Sequence, residues 1–472
     1  MRLTMLVFVL AGFLPERTLA LQTPTVMGIV TDTGGKAVRD AQVIGSGGRS
    51  ITKTGRDGRF RLAMTGASTC SFSVMSPSGT ARVTLETCPD TIVNVVVKRT
   101  ARPETFNRCG TRIADPCTDR EGLRFLTISS GQVHSCGITT DSTAWCWGDG
   151  RNGQLGDGQR EISRFPKRVM GDVRFAEIGA GGAYSCGRTA AGEVYCWGSE
   201  RTVPGWPHQP EGPVLVRLGE PTTSLTVGRR HACVLDATGR ASCWGWNVDG
   251  ETGIGVGSLE QSIVARPTHV MTDSRFTSLS AGFGFTCGVT IDERALCWGS
   301  NVDRVLGVSA SERCGDVGAV PCSTRPVAIE IPERITQVSS GAGHACALGE
   351  REEIYCWGAN SAGQSGVYRA DMPWVVTPTT VTLPVQGRVQ TLSSGGLQTC
   401  ALTSTQLAYC WGSDNVTYGR EITDGDQVGP RVAGGGRRFR AISTGQVFNC
   451  ALDTGNRIHC WGDTILGALG VR

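Results

Sequence analysis

After residue 20 the 472-residue chain has no apolar run that approaches the roughly eighteen residues a helix needs to cross a bilayer, so no membrane span is predicted. Charge of either sign is thin: 46 Lys and Arg face 42 Asp and Glu, a net of +4. Spread over this length, that charge provides no field to hold nucleic acid or an anionic membrane surface. Histidine is scarce, with six in all, and none belongs to a close cluster of the Cys-x2-Cys kind that zinc favours. A Gly-x-Ser-x-Gly nucleophile elbow and a Gly-x-x-x-x-Gly-Lys-Ser/Thr phosphate loop are also missing. No catalytic residue, metal or cofactor is therefore predicted.

Glycine and cysteine are abundant instead, at 65 and 20 residues. Fourteen cysteines fall into seven pairs ten residues apart, each followed by Trp-Gly: Cys136 with Cys146, Cys186 with Cys196, Cys233 with Cys243, Cys287 with Cys297, Cys346 with Cys356, Cys400 with Cys410 and Cys450 with Cys460. Steps of 50, 47, 54, 59, 54 and 50 residues between first cysteines are the period of propeller blades or a solenoid. The other six form three local couples, Cys70 with Cys88, Cys109 with Cys117 and Cys314 with Cys322. Such an even, regular set implies an oxidised framework.

The N-terminus agrees with that compartment. Arg2, an apolar run from Leu3 to Leu14, and then Thr18 and Ala20 fit a secretory signal spanning residues 1–20. The expected address is secreted, periplasmic or cell-surface.

Residues 24–100 lack the repeat and show about seven short alternating runs separated by turn residues such as Thr31-Asp32-Thr33-Gly34-Gly35. This pattern predicts a small antiparallel β-sandwich. Gly28-Ile29-Val30-Thr31-Asp32, Asp40-Ala41-Gln42-Val43 and the stretch from Thr54 to Leu62 resemble the carboxypeptidase regulatory-like domain. The resemblance implies an immunoglobulin- or transthyretin-like accessory module without catalysis.

Each repeat reads as a set of short strands. Leu126 and Ile128 alternate, Gly131 permits a bend, Cys136 and Ile138 lie on a second strand, and Thr140-Asp141-Ser142 turns into a third. The two cysteines are equidistant from that turn. In an antiparallel hairpin such residues face each other, with Cα atoms about 4.5 to 5.5 Å apart, so seven bridges are predicted, each within its own blade. A Gly-rich connection follows, as in Asp149–Gly158, and then a Pro-x-x-Val-like strand at Pro166, Pro267 and Pro326. The phrases Ile-Ser-Ser-Gly-x-x-His-Ser-Cys, Trp-Cys-Trp-Gly and Gly-Gln-Leu-Gly-Asp-Gly resemble the regulator of chromosome condensation repeat. That resemblance implies a seven-bladed propeller over residues 105–472, and so an all-β protein of two domains. The last repeat lacks a Pro-x-x-Val strand, and the stretch just after Cys117 is expected to complete it and close the ring.

Family resemblance also raises guanine nucleotide exchange and chromatin binding, but export and oxidised cysteines argue against intracellular partners. Propellers of this resemblance include secreted inhibitory proteins, which makes protein binding the better analogue. The expected function is a secreted, non-catalytic, monomeric binding or adhesion scaffold for an extracellular protein or glycan. The alternatives are an inhibitor of an extracellular enzyme and an enzyme with its site in the central channel. Trp206, Trp374, Tyr368 and Tyr418 lie in long connections outside the repeated Trp slot and are the candidate anchors. His134, His231 and His344 share a slot with Tyr184, Phe285, Gln398 and Phe448, which marks a packing position. Asp149, Asp157 and Asp249 fall in turns where bonding to nearby backbone accounts for them.

Overall fold

The computed structural model describes residues 25–32, 37, 42–45, 51–57, 59–63, 70–76, 79–85 and 93–97 of the N-terminal region. In the remainder it describes residues 123–199, 212–257, 262–315, 320–367, 372–384, 387–413 and 429–462. The chain divides into two compact units, with the larger one holding nearly all residues from 116 onward.

In the first unit, seven strands form a three-stranded and a four-stranded sheet. The strand number agrees with expectation, but the pairing is not wholly antiparallel. Thr25–Asp32 runs antiparallel to Arg59–Ala63 and parallel to Val93–Val97. A parallel pair needs a long crossover, and here the whole intervening unit provides it. The predicted signal segment, residues 1–20, lies outside the described residues.

The second unit consists of seven antiparallel sheets in chain order. In the first, Phe125–Ser130 is innermost, followed outward by His134–Thr139, Ala144–Gly148 and Ser163–Arg168. Blades two to six repeat this order. The fourth carries a fifth strand, Glu312–Cys314, hairpin-paired to Val320–Ala328 and bridged by Cys314–Cys322. Three strands of the seventh blade are described, Phe439–Thr444, Phe448–Asp453 and Ile458–Gly462. The stretch expected to complete it lies outside the described residues.

All seven repeat pairs face each other in register across the second and third strands of their own blades. Each pair is a disulfide: Cys136 bonds Cys146, Cys186 bonds Cys196, Cys233 bonds Cys243 and Cys287 bonds Cys297. In the last three blades Cys346 bonds Cys356, Cys400 bonds Cys410 and Cys450 bonds Cys460. One expectation is corrected in every blade. The paired Cα atoms stand 4.0 to 4.1 Å apart, below the separation expected of unbridged facing residues, because the bridge draws the two strands together at that register.

Two of the three local couples are a different matter. Cys70 opens the strand Cys70–Ser76, but its expected partner Cys88 lies outside the described residues. Cys109 and Cys117 both lie outside them as well. The bridges of Cys70 with Cys88 and of Cys109 with Cys117 thus remain expectations of the sequence.

The phrase Cys-Trp-Gly acquires its meaning between blades. Each repeat Trp packs against the disulfide of the blade before it: Trp197 on Cys136–Cys146, Trp298 on Cys233–Cys243, Trp357 on Cys287–Cys297 and Trp411 on Cys346–Cys356. Trp244 packs likewise on Cys186–Cys196, and Trp461 on Cys400–Cys410. Trp147 packs with Cys450 and Cys460, so the same contact closes the ring from blade seven to blade one. Burying a large aromatic is worth about 1.5–3 kcal/mol, and here it fastens neighbours together. The glycine after each Trp has φ between +95° and +117°, and at Gly148 a Cβ would stand 2.6 Å from His134 Cα.

Outer strands carry the prolines. Pro166, Pro267, Pro326 and Pro378 each sit inside the register shift where the strand bulges away from the third strand. A proline there removes no ladder bond and keeps the blade edge from pairing with another chain.

Candidate binding face and channel mouth

Turns between first and second strands and connections between third and fourth strands emerge on the same face, because each blade is a simple meander. The turns line the mouth of the central channel, and the connections surround them.

Seven backbone hydrogen bonds form a closed circle at the mouth. The N–H groups of Gln132, Gly182, Arg229, Phe283, Ala342, Gly396 and Gln446 donate to carbonyls of the next blade at 2.9 to 3.3 Å, and the bond from Gln446 to Gly131 completes the round. The glycine preceding each donor is required by this approach. A Cβ at Gly131 would stand 2.3 Å from Gly181 O, one at Gly395 2.2 Å from Gly445 O, and one at Gly445 2.7 Å from Gly131 O. Sequence reading assigned Gly131 to a bend. Its actual demand is proximity to a neighbouring carbonyl.

A second tier lies one step inward. Hydroxyls of Ser129, Thr226, Ser280, Ser339, Ser393 and Ser443 each accept a backbone N–H from the following blade. Blade two has Gly179 at this position, where a Cβ would lie 2.4 Å from Val227. The channel mouth holds a cavity of about 70 Å³. Among the described residues of its lining, Arg229 is the one charged side chain.

Two cation–π pairs stand beside the mouth. The Arg229 guanidinium lies 5.3 Å from the Phe283 ring centre, and that of Arg230 lies 5.0 Å from Trp246. Burial and then the neighbouring Arg230 charge lower the pKa of Arg229.

The histidine slot is a polar seam. Nε2 of His134, His231 and His344 lies 2.8, 2.8 and 2.7 Å from the hydroxyls of Ser185, Thr286 and Thr399 on the next blade. Those hydroxyls donate in turn to the carbonyls of Gln154, Glu251 and Gln364. Burial pushes these imidazoles down to about 4, 4 and 3, which keeps them neutral. The expected structural role stands, with a hydrogen bond added to packing. Gln398 fills the slot in blade six by donating to Gly445 O and Phe448 O.

In the connections, Asp149 and Asp157 accept nearby backbone N–H groups, as expected. Asp249 instead engages Ser300, and burial raises its pKa. Sequence reading passed over Glu251. It is buried at the position that Gln154 and Gln364 hold in blades one and five, and accepts Asp249 N–H at 2.9 Å as they accept Asn152 and Ala362. Burial pushes its carboxyl up to about 8.

Of the four aromatic anchors, Trp206, Tyr368 and Tyr418 lie outside the described residues. Trp374 opens the outer strand of blade five and is 49% exposed. It pairs with Ala359 as Ile263 pairs with Trp246, and Ile162 directly precedes Ser163, which pairs with Gly148 as Val264 pairs with Gly245 and Val375 with Gly358. Ile162 and Ile263 are also exposed, whereas their following residues, Ser163 and Val264, are buried, as is Val375 after Trp374. Blade four places Cys322, tied into its disulfide, at this point. No sequence signal marked the two isoleucines, because solitary apolar residues at strand starts are common.

Among the described residues, no group of three or more His, Cys, Asp or Glu could hold a metal, and no helix is long and apolar enough to cross a membrane. The eight disulfides among the described residues fit an oxidising environment.

Residues 125–154, 223–251, 276–303 and 335–364 match the Regulator of chromosome condensation (RCC1) repeat, and a second description of the same repeat matches residues 141–187 and 292–348. The Ultraviolet-B receptor UVR8 of Arabidopsis thaliana is 27% identical over 250 residues, 52% of this chain and 44% of that protein. The mitochondrial RCC1 domain-containing protein RUG3 of the same plant is 27% identical over 299 residues, 61% of this chain and 65% of its own length. The chain thus spans about half to two thirds of the relatives it matches. Yeast RCC1 (Prp20), in its crystal structure with Kap60, superposes with a TM-score of 0.60 at 17% identity, covering 76% of this chain and 84% of that one. This likeness supports the seven-bladed fold alone.

Proposed function

We propose that the protein is an exported, non-catalytic binding scaffold that recognises a protein or glycan through the connection face of its propeller. The observation that carries this reading is the exposure of Trp374, Ile263 and Ile162 at one register position of three alternate blades, above a wall of buried neighbours. An aromatic fixed on a bridged blade is a low-entropy anchor. The disulfides support an oxidising address, and the residues 1–20 signal would provide the route. The N-terminal unit, read as a carboxypeptidase regulatory-like sandwich, would serve as spacer or tether.

The test is affinity capture from the envelope and medium of the source cells with the full chain and with a Trp206→Ala/Trp374→Ala variant. Loss of a specific captured species in the variant, at unchanged melting temperature, supports the loop assignment. Equal capture by both refutes it.

A further inference from the structure

We propose that the channel mouth is a receptor for one carboxylate from an acidic side chain of a protein partner, with Arg229 as the residue that receives it. This site shares the connection face with the proposed anchor Trp374 but does not depend on it.

Among the described residues neither Arg229 nor Arg230 has an ion-paired carboxylate. Each guanidinium instead lies over an aromatic ring, Phe283 and Trp246 respectively. Asp249 bonds Ser300, and Glu251, which interacts with the Arg230 charge, is buried with its carboxyl pushed up to about 8. The ring contact holds the Arg229 guanidinium beside Phe283, and a guanidinium fork pairs well with a planar carboxylate.

The surroundings select the kind of anion. One N–H of each turn is committed to the circle of blade-to-blade bonds, which leaves recognition at the mouth mainly to side chains. The polar side chains long enough to reach an anion there are the guanidinium of Arg229 and the amides of Gln132 and Gln446. Arg229 and Gln132 both lie over Gly182, where a Cβ would stand 3.2 Å from Arg229 Cγ and 3.3 Å from Gln132 Oε1. That donor set matches one carboxylate. A free volume of about 70 Å³ at the mouth accommodates one carboxylate group. A sugar acid is disfavoured because Phe283, the aromatic in the lining, has a face already covered by Arg229 and offers no stacking platform for a pyranose ring.

The experiment titrates the full chain with hexaglutamate, hexaglutamine and a hexauronate in low salt, followed by calorimetry. The expected result is saturable one-to-one binding of hexaglutamate, weakened about tenfold or more by Arg229→Gln, as loss of a charge-assisted hydrogen-bond pair requires. Trp374→Ala and the remote Arg240→Gln should leave it unchanged. Because Arg229 joins the circle through backbone atoms, Arg229→Gln should melt as the unaltered protein does. Absence of hexaglutamate binding, equal binding by Arg229→Gln, or equal binding of hexaglutamine would overturn the proposal, as would preference for the uronate. Loss of partner capture in the Trp206/Trp374 variant with hexaglutamate binding intact would separate this site from the anchor reading.

Discussion

The inner wall of the propeller and its outer margin are made by the same seven repeats, yet they tolerate variation very differently. Along the inner wall, glycine recurs at all seven turns and a hydroxyl at six of seven positions below them. At the margin, the same repeats supply Ile162, Ile263, Cys322 or Trp374 to one position. The difference follows contact density. Where each residue touches the next blade's backbone, one chemistry fits; where it faces solvent, many do. Specific recognition is therefore expected at the margin, held in place by the wall.

The largest test of the comparison is acidification, which acts on the seam between wall and margin. The folded-state pKa values of His134, His231 and His344, about 4, 4 and 3, lie below the unfolded value near 6.5. The unfolded chain thus takes up protons first as pH falls, and stability is lost between about pH 6.5 and 4. Each unit of separation is worth about 1.4 kcal/mol, so three histidines amount to several kcal/mol. Melting curves at pH 7.5 and 4.5 should show a marked drop, and His344→Gln, imitating blade six, should reduce it. A flat profile would contradict the buried seam.

Next comes Gly131→Ala on the wall, where the added methyl meets the Gly181 carbonyl. Overpacking of this kind costs about 1–3 kcal/mol or more. Gly219→Ala, with open space around it, should change denaturant midpoints by less than about 0.5 kcal/mol. Equal effects would erase the distinction between the two regions.

Glu251→Gln sharpens the picture in the connection. The folded carboxyl titrates near 8 and the unfolded one near 4.5, so stability falls as pH rises between those values. Glutamine, as in blades one and five, should raise the melting temperature at pH 8 by several degrees and leave it unchanged at pH 4. A modest effect is expected of Ser280→Ala, which removes one acceptor from the second tier and should cost about 1 kcal/mol by chemical denaturation.

Much of the architecture was legible because its signals are local. Cys136 and Cys146 face each other by hairpin symmetry alone, as do Cys186 and Cys196, and Trp-Gly marks the end of each third strand. Contacts between blades were not legible. Nothing within one repeat shows that Gly131 abuts Gly181, that Trp197 covers the preceding disulfide, or that His134 reaches Ser185, because these pairs are separated by a whole period. The parallel pair of the first unit escaped for the same reason, since alternation reveals strands but not their partners. Of the candidate site, Trp374 was found by being a tryptophan out of place. Arg229 was overlooked because an arginine in a turn is ordinary until its ring partner and missing counter-ion are seen.

The circle of hydrogen bonds at the channel mouth has no first or last member. A stacked array can fray from a terminal unit, but here the seam between blades seven and one has the same donor and acceptor as every other. Losing any one blade would strand two raw faces at once, so the assembly has no partially unzipped intermediate of low cost. Cooperativity is thereby set by topology rather than by any single strong contact.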